Sequence, residues 1–133
     1  NGNGGSGGFG GGGGGGGAKT SGGLGGLGGQ GGFGGGMGGQ EGCSASAGGG
    51  GGAGFGGAIF NAQGQVEIVG CLFMGNLALG GVKGNNYFGC GTSSTAGEGY
   101  GGATFNYQGQ ISCTDCVFQD NTADTDGSDE YTY

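Results

Sequence analysis

The chain has 133 residues, of which 49 are glycine and none is proline, histidine or tryptophan; nine acids against two lysines, Lys19 and Lys83, leave a formal net charge of −7. Without arginine or a basic patch there is nothing to hold a phosphate backbone, so nucleic acid is not an expected partner. No stretch approaches the roughly 18 consecutive apolar residues that a spanning helix needs, so no membrane insertion is expected.

Large apolar residues are few: Val, Ile, Leu, Met and Phe together number 22. Ordering a backbone costs roughly 1–2 kcal/mol per residue, and glycine is the most expensive residue to order. A conventional apolar core cannot offset that cost, which leaves backbone hydrogen bonding, stacked side chains, disulfides or self-assembly.

In chain order, residues 1–55 form a glycine-rich segment, 56–123 a repeat region and 124–133 an acidic C-terminal tail. Most glycines fall at or before Gly57, where they form the majority of the chain; beyond it they are a minority. Composition alone suggests a flexible linker, but Leu24, Leu27, Gln30 and Phe33 recur at a strict spacing of three. An extended left-handed helix with three residues per turn would align them along one edge and leave two bare glycine faces. Neighbouring helices could approach closely along those faces. The expectation is polyglycine II, a polyproline II-like packing; collagen is excluded by two glycines per triplet and the absence of proline.

The repeat is the strongest signal. Gly57 to Ala78, GAIFNAQGQVEIVGCLFMGNLA, and Gly102 to Ala123, GATFNYQGQISCTDCVFQDNTA, are identical at 11 of 22 positions with an offset of 45. Val66, Ile68, Cys71 and Phe73 align with Ile111, Cys113, Cys116 and Phe118, which predicts strands with one face inside. The phase slips at Val69-Gly70 and Thr114-Asp115, where a bend is expected. A weaker third copy is read at Gly80-Gly81-Val82-Lys83-Gly84-Asn85, giving spacings of 24 and 21, about one coil of a parallel β-helix each.

The pairing of Gly56-Gly57-Ala58-Ile59 with Phe73-x-x-Asn76, and of Gly101-Gly102-Ala103-Thr104 with Phe118-x-x-Asn121, resembles the repeat of the polymorphic outer-membrane-protein family. The likeness covers roughly residues 56–123. It implies a right-handed parallel β-helix on a surface-exposed or secreted protein, commonly an adhesin. The expected fold is therefore all-β, a short right-handed parallel β-helix preceded by a glycine-rich segment packed as polyglycine II helices. Phe73 and Phe118 are expected to stack inside, with Asn76 and Asn121 as an amide ladder at a turn; the motif residues Gly56, Gly57, Ala58, Gly101, Gly102 and Ala103 read as architectural.

Cys43, Cys71, Cys90, Cys113 and Cys116 read as structural disulfide candidates and point outside the reducing cytosol, to an extracellular or cell-surface location. Five is odd, so one thiol is either free and buried or paired with another chain. On the coil spacings of 24 and 21, Cys71 and Cys116 lie two coils apart, beyond direct bonding, and Cys90 is the expected partner of either. A redox or zinc role for Cys113-x-x-Cys116 lacks a second pair.

No nucleophile–histidine arrangement, phosphate loop or supported acid pair is present, and chance GxGxxG strings carry no information in so glycine-rich a chain. Neither a catalytic nor a cofactor-binding residue is assigned, and no enzyme activity is expected. Asp124, Asp126, Asp129 and Glu130 are weak calcium candidates around a glycine turn, although an EF-hand register fails because Thr122 would stand first and Tyr133 twelfth. The expected function is a structural subunit of an extracellular filament or surface appendage, assembling with itself through β-helix ends and polyglycine faces. The alternative is an adhesin-type module contacting a host or surface glycan or protein through Tyr87, Tyr100, Tyr107, Tyr131 and Tyr133.

Overall fold

The structure, a computed structural model, describes residues 2–18, 25–40, 42, 47–85 and 91–133. It is all-β: among the described residues there are eleven short strands and no helix. The chain divides into two compact units, each drawn from two separate segments. One comprises Asn1–Ala53 with Gly80–Glu98, the other Gly54–Leu79 with Gly99–Tyr133.

All the strands belong to the second unit. Five of them, β1 (Gly54–Phe55), β2 (Ile59–Ala62), β3 (Gln65–Val69), β4 (Leu72–Met74) and β5 (Leu77–Ala78), form a first rung. Five others form a second rung in the same order: β6 (Gly99–Tyr100), β7 (Thr104–Tyr107), β8 (Gln110–Thr114), β9 (Val117–Gln119) and β10 (Thr122–Ala123). Each first-rung strand pairs in parallel with its counterpart, as in Val66↔Ile111 and Phe73↔Phe118, always at the offset of the sequence repeat. Because the pairing is parallel and its register equals the repeat offset, equivalent positions of the two copies face one another along every strand. The alternation in β3 buries Ile68 and half-buries Val66 while Gln65, Glu67 and Val69 face out. Ile68, Phe73 and Ala103 form a small core, with Ile59, Val66, Ile111, Cys113, Cys116 and Phe118 packed against it.

Single left-handed residues turn the corners between strands, and they recur at the repeat offset. Gln63 and Gln108 carry φ of 60° and 51°, Gly70 and Asp115 62° and 53°, and Gly75 and Asp120 66° and 53°. The corner before β2 and β7 is glycine in both rungs, Gly56 and Gly101, with φ of 56° and 66°. There a side chain is excluded twice over, by the backbone angle and because a Cβ on Gly101 would run into the Thr104 carbonyl.

The last strand, β11 (Glu130–Thr132), pairs in parallel with the other edge of β7, Tyr131 facing Phe105. Gly127 stands before it with φ of 67°, in the place of Gly101. Residues 124–133, read from the sequence as an acidic C-terminal tail, thus include a strand that adds to β7 and begins a third rung. The step from Thr104 to its partner Glu130 is shorter than the step from Ile59 to its partner Thr104. The difference is the segment Gly80–Glu98, which belongs to the other unit; with that segment taken out, the two steps have the same length.

This corrects the reading of Gly80–Asn85 as a rung, and with it the coil spacings of 24 and 21. These residues bond instead to glycine-rich backbone: Gly81 N–H donates to the Gly52 carbonyl at 2.6 Å and Gly84 N–H to that of Gly49 at 2.8 Å. Val82, the one large apolar residue among them, is 90% exposed, so nothing here could contribute to a strand core. Rungs one and two are therefore direct neighbours.

In the glycine-rich unit the hydrogen bonds fall at every third residue. Gly4, Gly7, Gly10, Gly13 and Gly16 donate to the carbonyls of Leu27, Gln30, Phe33, Gly36 and Gly39 at 2.8–3.1 Å. Gly11, Gly14 and Gly17 donate in the opposite sense to Gly8, Gly5 and Gly2, each at 2.8 Å. Leu27 and Gln30 face out while Gly26 and Gly29 are buried; Leu24 lies outside the described residues. Close approach makes the buried glycines irreplaceable, because a Cβ on Gly29 would occupy the space of the Gly5 carbonyl, whereas one on Gly5 meets nothing within 4 Å.

Two substitutions test this packing. Phe105 is fully buried, with rings of Phe55, Phe60 and Tyr131 at centroid distances of 4.4, 5.6 and 5.6 Å, so Phe105→Ala should cost about 3–5 kcal/mol in urea unfolding. Gly29→Ala should sharply reduce amide-exchange protection of the glycine-rich unit, while Gly5→Ala leaves it unchanged; equal effects of the two would contradict the close packing of Gly29.

Candidate functional site

The most distinctive feature of the strand unit is a set of side chains stacked on their own equivalents. Phe73 and Phe118 lie 5.0 Å apart with planes inclined by 10°. Phe60, Phe105 and Tyr131 form a three-ring stack across β2, β7 and β11, flanked by Phe55 and Tyr100. Tyr107 stacks on Tyr133 at 5.5 Å, and Tyr100 meets Tyr131 at 4.7 Å. Four tyrosines expected as contact residues are thus partners of other rings, and Tyr87 lies outside the described residues.

Amide ladders accompany the rings. Asn76 Nδ2 donates to Asn121 Oδ1 at 2.9 Å, and the Asn76 backbone N–H reaches the same oxygen at 3.0 Å. Asn121 Nδ2 in turn donates to the Phe73 carbonyl at 3.0 Å and to Asp129 Oδ1 at 2.9 Å. A second ladder, not foreseen from the motif, runs through the Asn of the Phe-Asn pairs. Asn61 Nδ2 donates to Asn106 Oδ1 at 2.7 Å and to the carbonyls of Gly64 and Gln110 at 2.9 and 3.3 Å. Gly64 N–H returns a bond to Asn61 Oδ1 at 3.2 Å, and Asn106 Nδ2 closes the same loop on Gly109. Both asparagines are buried, and no buried side-chain N or O among the described residues lacks a partner. Gln63 and Gln108 add an exposed rung of the same kind at 3.2 Å.

The glycines of the motif sit at or beside the corners: Gly101, Gly102 and Ala103 are buried in the second rung, whereas Gly57 and Ala58 are exposed in the first. On the outside of β4, β5 and β9, Leu72, Met74, Leu77 and Val117 leave an apolar strip, each more than half exposed.

Among the described residues the carboxylates do not converge on one site. An open depression of about 380 Å³ lined by Gln65, Val66, Glu67, Gln110 and Ser112 holds one carboxylate, Glu67. Glu98 belongs to the glycine-rich unit and Glu41 lies outside the described residues. Of the calcium candidates, Asp126 Oδ1 accepts from Gly127 N–H, Asp129 Oδ1 from Asn121, Asp124 Oδ1 from the Thr125 hydroxyl, and Glu130 is in β11. Among the described residues no three His, Cys, Asp or Glu side chains are grouped to hold a metal ion, and no helix is long and apolar enough to cross a membrane.

The cysteines meet the expectation in part: two of the disulfide candidates pair, and one does not. Cys113 and Cys116 form a disulfide with Cα atoms 5.8 Å apart, and Cys71 is a free, exposed thiol. Cys43 and Cys90 lie outside the described residues. Cys71 and Cys116 are not two coils apart, because the strands on either side of them pair directly at the repeat offset.

The chain matches no family model, curated protein or solved structure.

The buried ladder can be tested at its most demanding position. In Asn61→Asp a carboxylate oxygen replaces the Nδ2 donor and faces Asn106 Oδ1 and two backbone carbonyls. Leaving buried polar groups unpaired costs about 1–3 kcal/mol each, more for a charge. The variant should be severely destabilised at neutral pH and partly recover in mild acid, because burial raises the carboxyl pKa and its protonated form can donate. A urea midpoint unchanged from the parent at pH 7 would remove the ladder from the stabilising set.

Proposed function

We propose that the chain is a non-enzymatic structural subunit of an extracellular filament or surface appendage, assembling with copies of itself. The observation that carries this reading is the constant-offset stacking of ring on ring and amide on amide between rungs. Such ladders supply stiffness and an edge that repeats, with no need of a reaction centre.

Two finer descriptions belong to this reading. Parallel strands joined through left-handed corners, with β11 continuing on β7 as β7 does on β2, support a short parallel β-helix. Its right hand is supported by the family resemblance of the GGAI and FxxN motifs and by the near-universal hand of parallel crossovers. Bonds at every third residue between glycine segments support polyglycine II helices. An extracellular setting is supported by the Cys113–Cys116 disulfide.

Among the described residues β3, β4 and β5 each have a single strand partner, as do β8, β9 and β10. Such edges present unpaired N–H and C=O groups, the usual template for strand addition. The second reading, an adhesin-type module, is favoured by the apolar strip of Leu72, Met74, Leu77 and Val117. Negative-stain microscopy of the purified chain over a concentration series separates them. Regular fibres that lengthen with concentration are expected. Discrete particles at every concentration would defeat the filament reading, and their retention on a glycan or cell surface would favour the adhesin.

A further inference from the structure

The rung register brings a free thiol next to a disulfide. Gly70 N–H donates to the Thr114 carbonyl at 2.8 Å and Val117 N–H to that of Cys71 at 2.9 Å, on either side of the pair Cys71 and Cys116. With Leu72 facing Val117 in register, Cys71 and Cys116 are neighbours on adjacent rungs. Paired strands lie about 4.8 Å apart, within the roughly 4.4–6.8 Å of Cα separation that a disulfide accepts.

The side chains also point alike. Cys71 Sγ lies 3.5 Å from the carbonyl of Val69 and Cys116 Sγ 3.6 Å from that of Thr114, in each case two residues back along the chain. Cys116 Sγ is in addition 3.8 Å from the Ile68 carbonyl, which belongs to the rung of Cys71. Cys71 is exposed, whereas Cys113 and Cys116 are half-buried against the core. One accessible nucleophile therefore stands beside the nearer sulfur of a short-range disulfide.

We propose that Cys71, Cys113 and Cys116 form a thiol–disulfide exchange site. The Cys71 thiol loses its proton to solvent, and its thiolate attacks Cys116 Sγ. The Cys71–Cys116 bond forms, the Cys113–Cys116 bond breaks, and Cys113 leaves as a thiolate that takes up a proton. The step has one disulfide and one thiol on each side, so it needs neither an oxidant nor a reductant. Its effect is to exchange a crosslink within one rung for a staple between two. The Cys113–Cys116 bond joins cysteines at a sequence separation of 3. The Cys71–Cys116 bond would close the whole first coil, including the Gly80–Glu98 excursion, and a larger loop removes more freedom from the unfolded chain. The exchange thus changes how firmly successive rungs are held together without any change in the number of thiols or disulfides.

The test uses the full chain. Material kept at pH 5 and material incubated at pH 8.5, close to the ordinary thiol pKa, are labelled with N-ethylmaleimide at pH 6.5. Both are then digested without reduction by a protease that cuts before Asp115, separating Cys113 from Cys116. The expected result is label on Cys71 at pH 5 and, after pH 8.5, label also on Cys113 with a Cys71–Cys116 linked peptide. Its yield should not depend on protein concentration. In Cys71→Ser no label should reach Cys113 at either pH, and Cys113→Ser should form the Cys71–Cys116 bond in air and melt higher than Cys71→Ser. Label confined to Cys71, a linked peptide that grows with concentration, or Cys71 joined to Cys43 or Cys90 would overturn the proposal.

Discussion

Lateral hydrogen bonding between extended segments far apart in sequence is the constraint on which both units depend. A chain so poor in large apolar residues cannot be held by side-chain burial alone. A hydrogen bond contributes a net amount of the same order as the cost of ordering one residue. Each extended segment must therefore bond on two sides or add side-chain stacking. The strand unit takes the second course, with rings and amides of one rung set on their equivalents in the next. The glycine-rich unit takes the first: Gly13 donates to Gly36 and its carbonyl accepts from Gly50, while Gly14 donates to Gly5 and accepts from Gly29. Absence of side chains makes that density of bonds attainable, since backbones approach to where a Cβ would stand.

The two solutions share one chain because the segment Gly80–Glu98 interrupts the run of paired strands. The segment Gly80–Glu98 leaves the rung after β5 and returns before β6, without disturbing the register of the strands on either side. An excursion of that length between fixed ends adds little loop-closure cost, which grows only with the logarithm of length. What it requires is that its ends stay near the sites they would occupy in an uninterrupted coil. The pairs Ala78↔Ala123 and Gly54↔Gly99, which bracket the excursion, keep the register of the repeat, so that condition is met.

Much of the strand unit was legible in the sequence. The identities of the repeat locate both rungs, the alternation of Val66, Ile68 and Phe73 locates the inward face, and Gly70 with Asp115 marks a corner. The coil length was not, because the long repeat offset invites division into two coils when the inserted stretch itself begins with Gly80-Gly81. The shorter step between paired strands is written at the other end of the chain. Gly127, Tyr131 and Tyr133 follow Gly101, Phe105 and Tyr107 at one common, shorter offset, and that echo was masked by the acidic residues between them. Those acids suit an outer surface and say nothing about the backbone beneath. The misplaced cysteines follow from the same error, since a coil counted twice moves Cys71 away from Cys116. The Asn61–Asn106 ladder was missed because an asparagine in a strand reads as exposed, when its amide is in fact occupied by the loop it closes.

Those amides explain why a stack with so little apolar interior keeps one register. Apolar contacts between rungs tolerate sliding, since Phe73 could find another ring or aliphatic group at modest cost. Asn61 cannot slide, because its donors are matched at once to Asn106 and to the carbonyls of Gly64 and Gln110, and a slip of one residue would turn the asparagine to the opposite face of the strand. Burial makes that mismatch expensive, as polar groups removed from water must find partners elsewhere. The apolar residues therefore supply cohesion and the asparagines supply the registration. Because the registration is carried by side chains that bond to copies of themselves, any further rung that presents Phe-Asn at the same corner would be accepted in the same register.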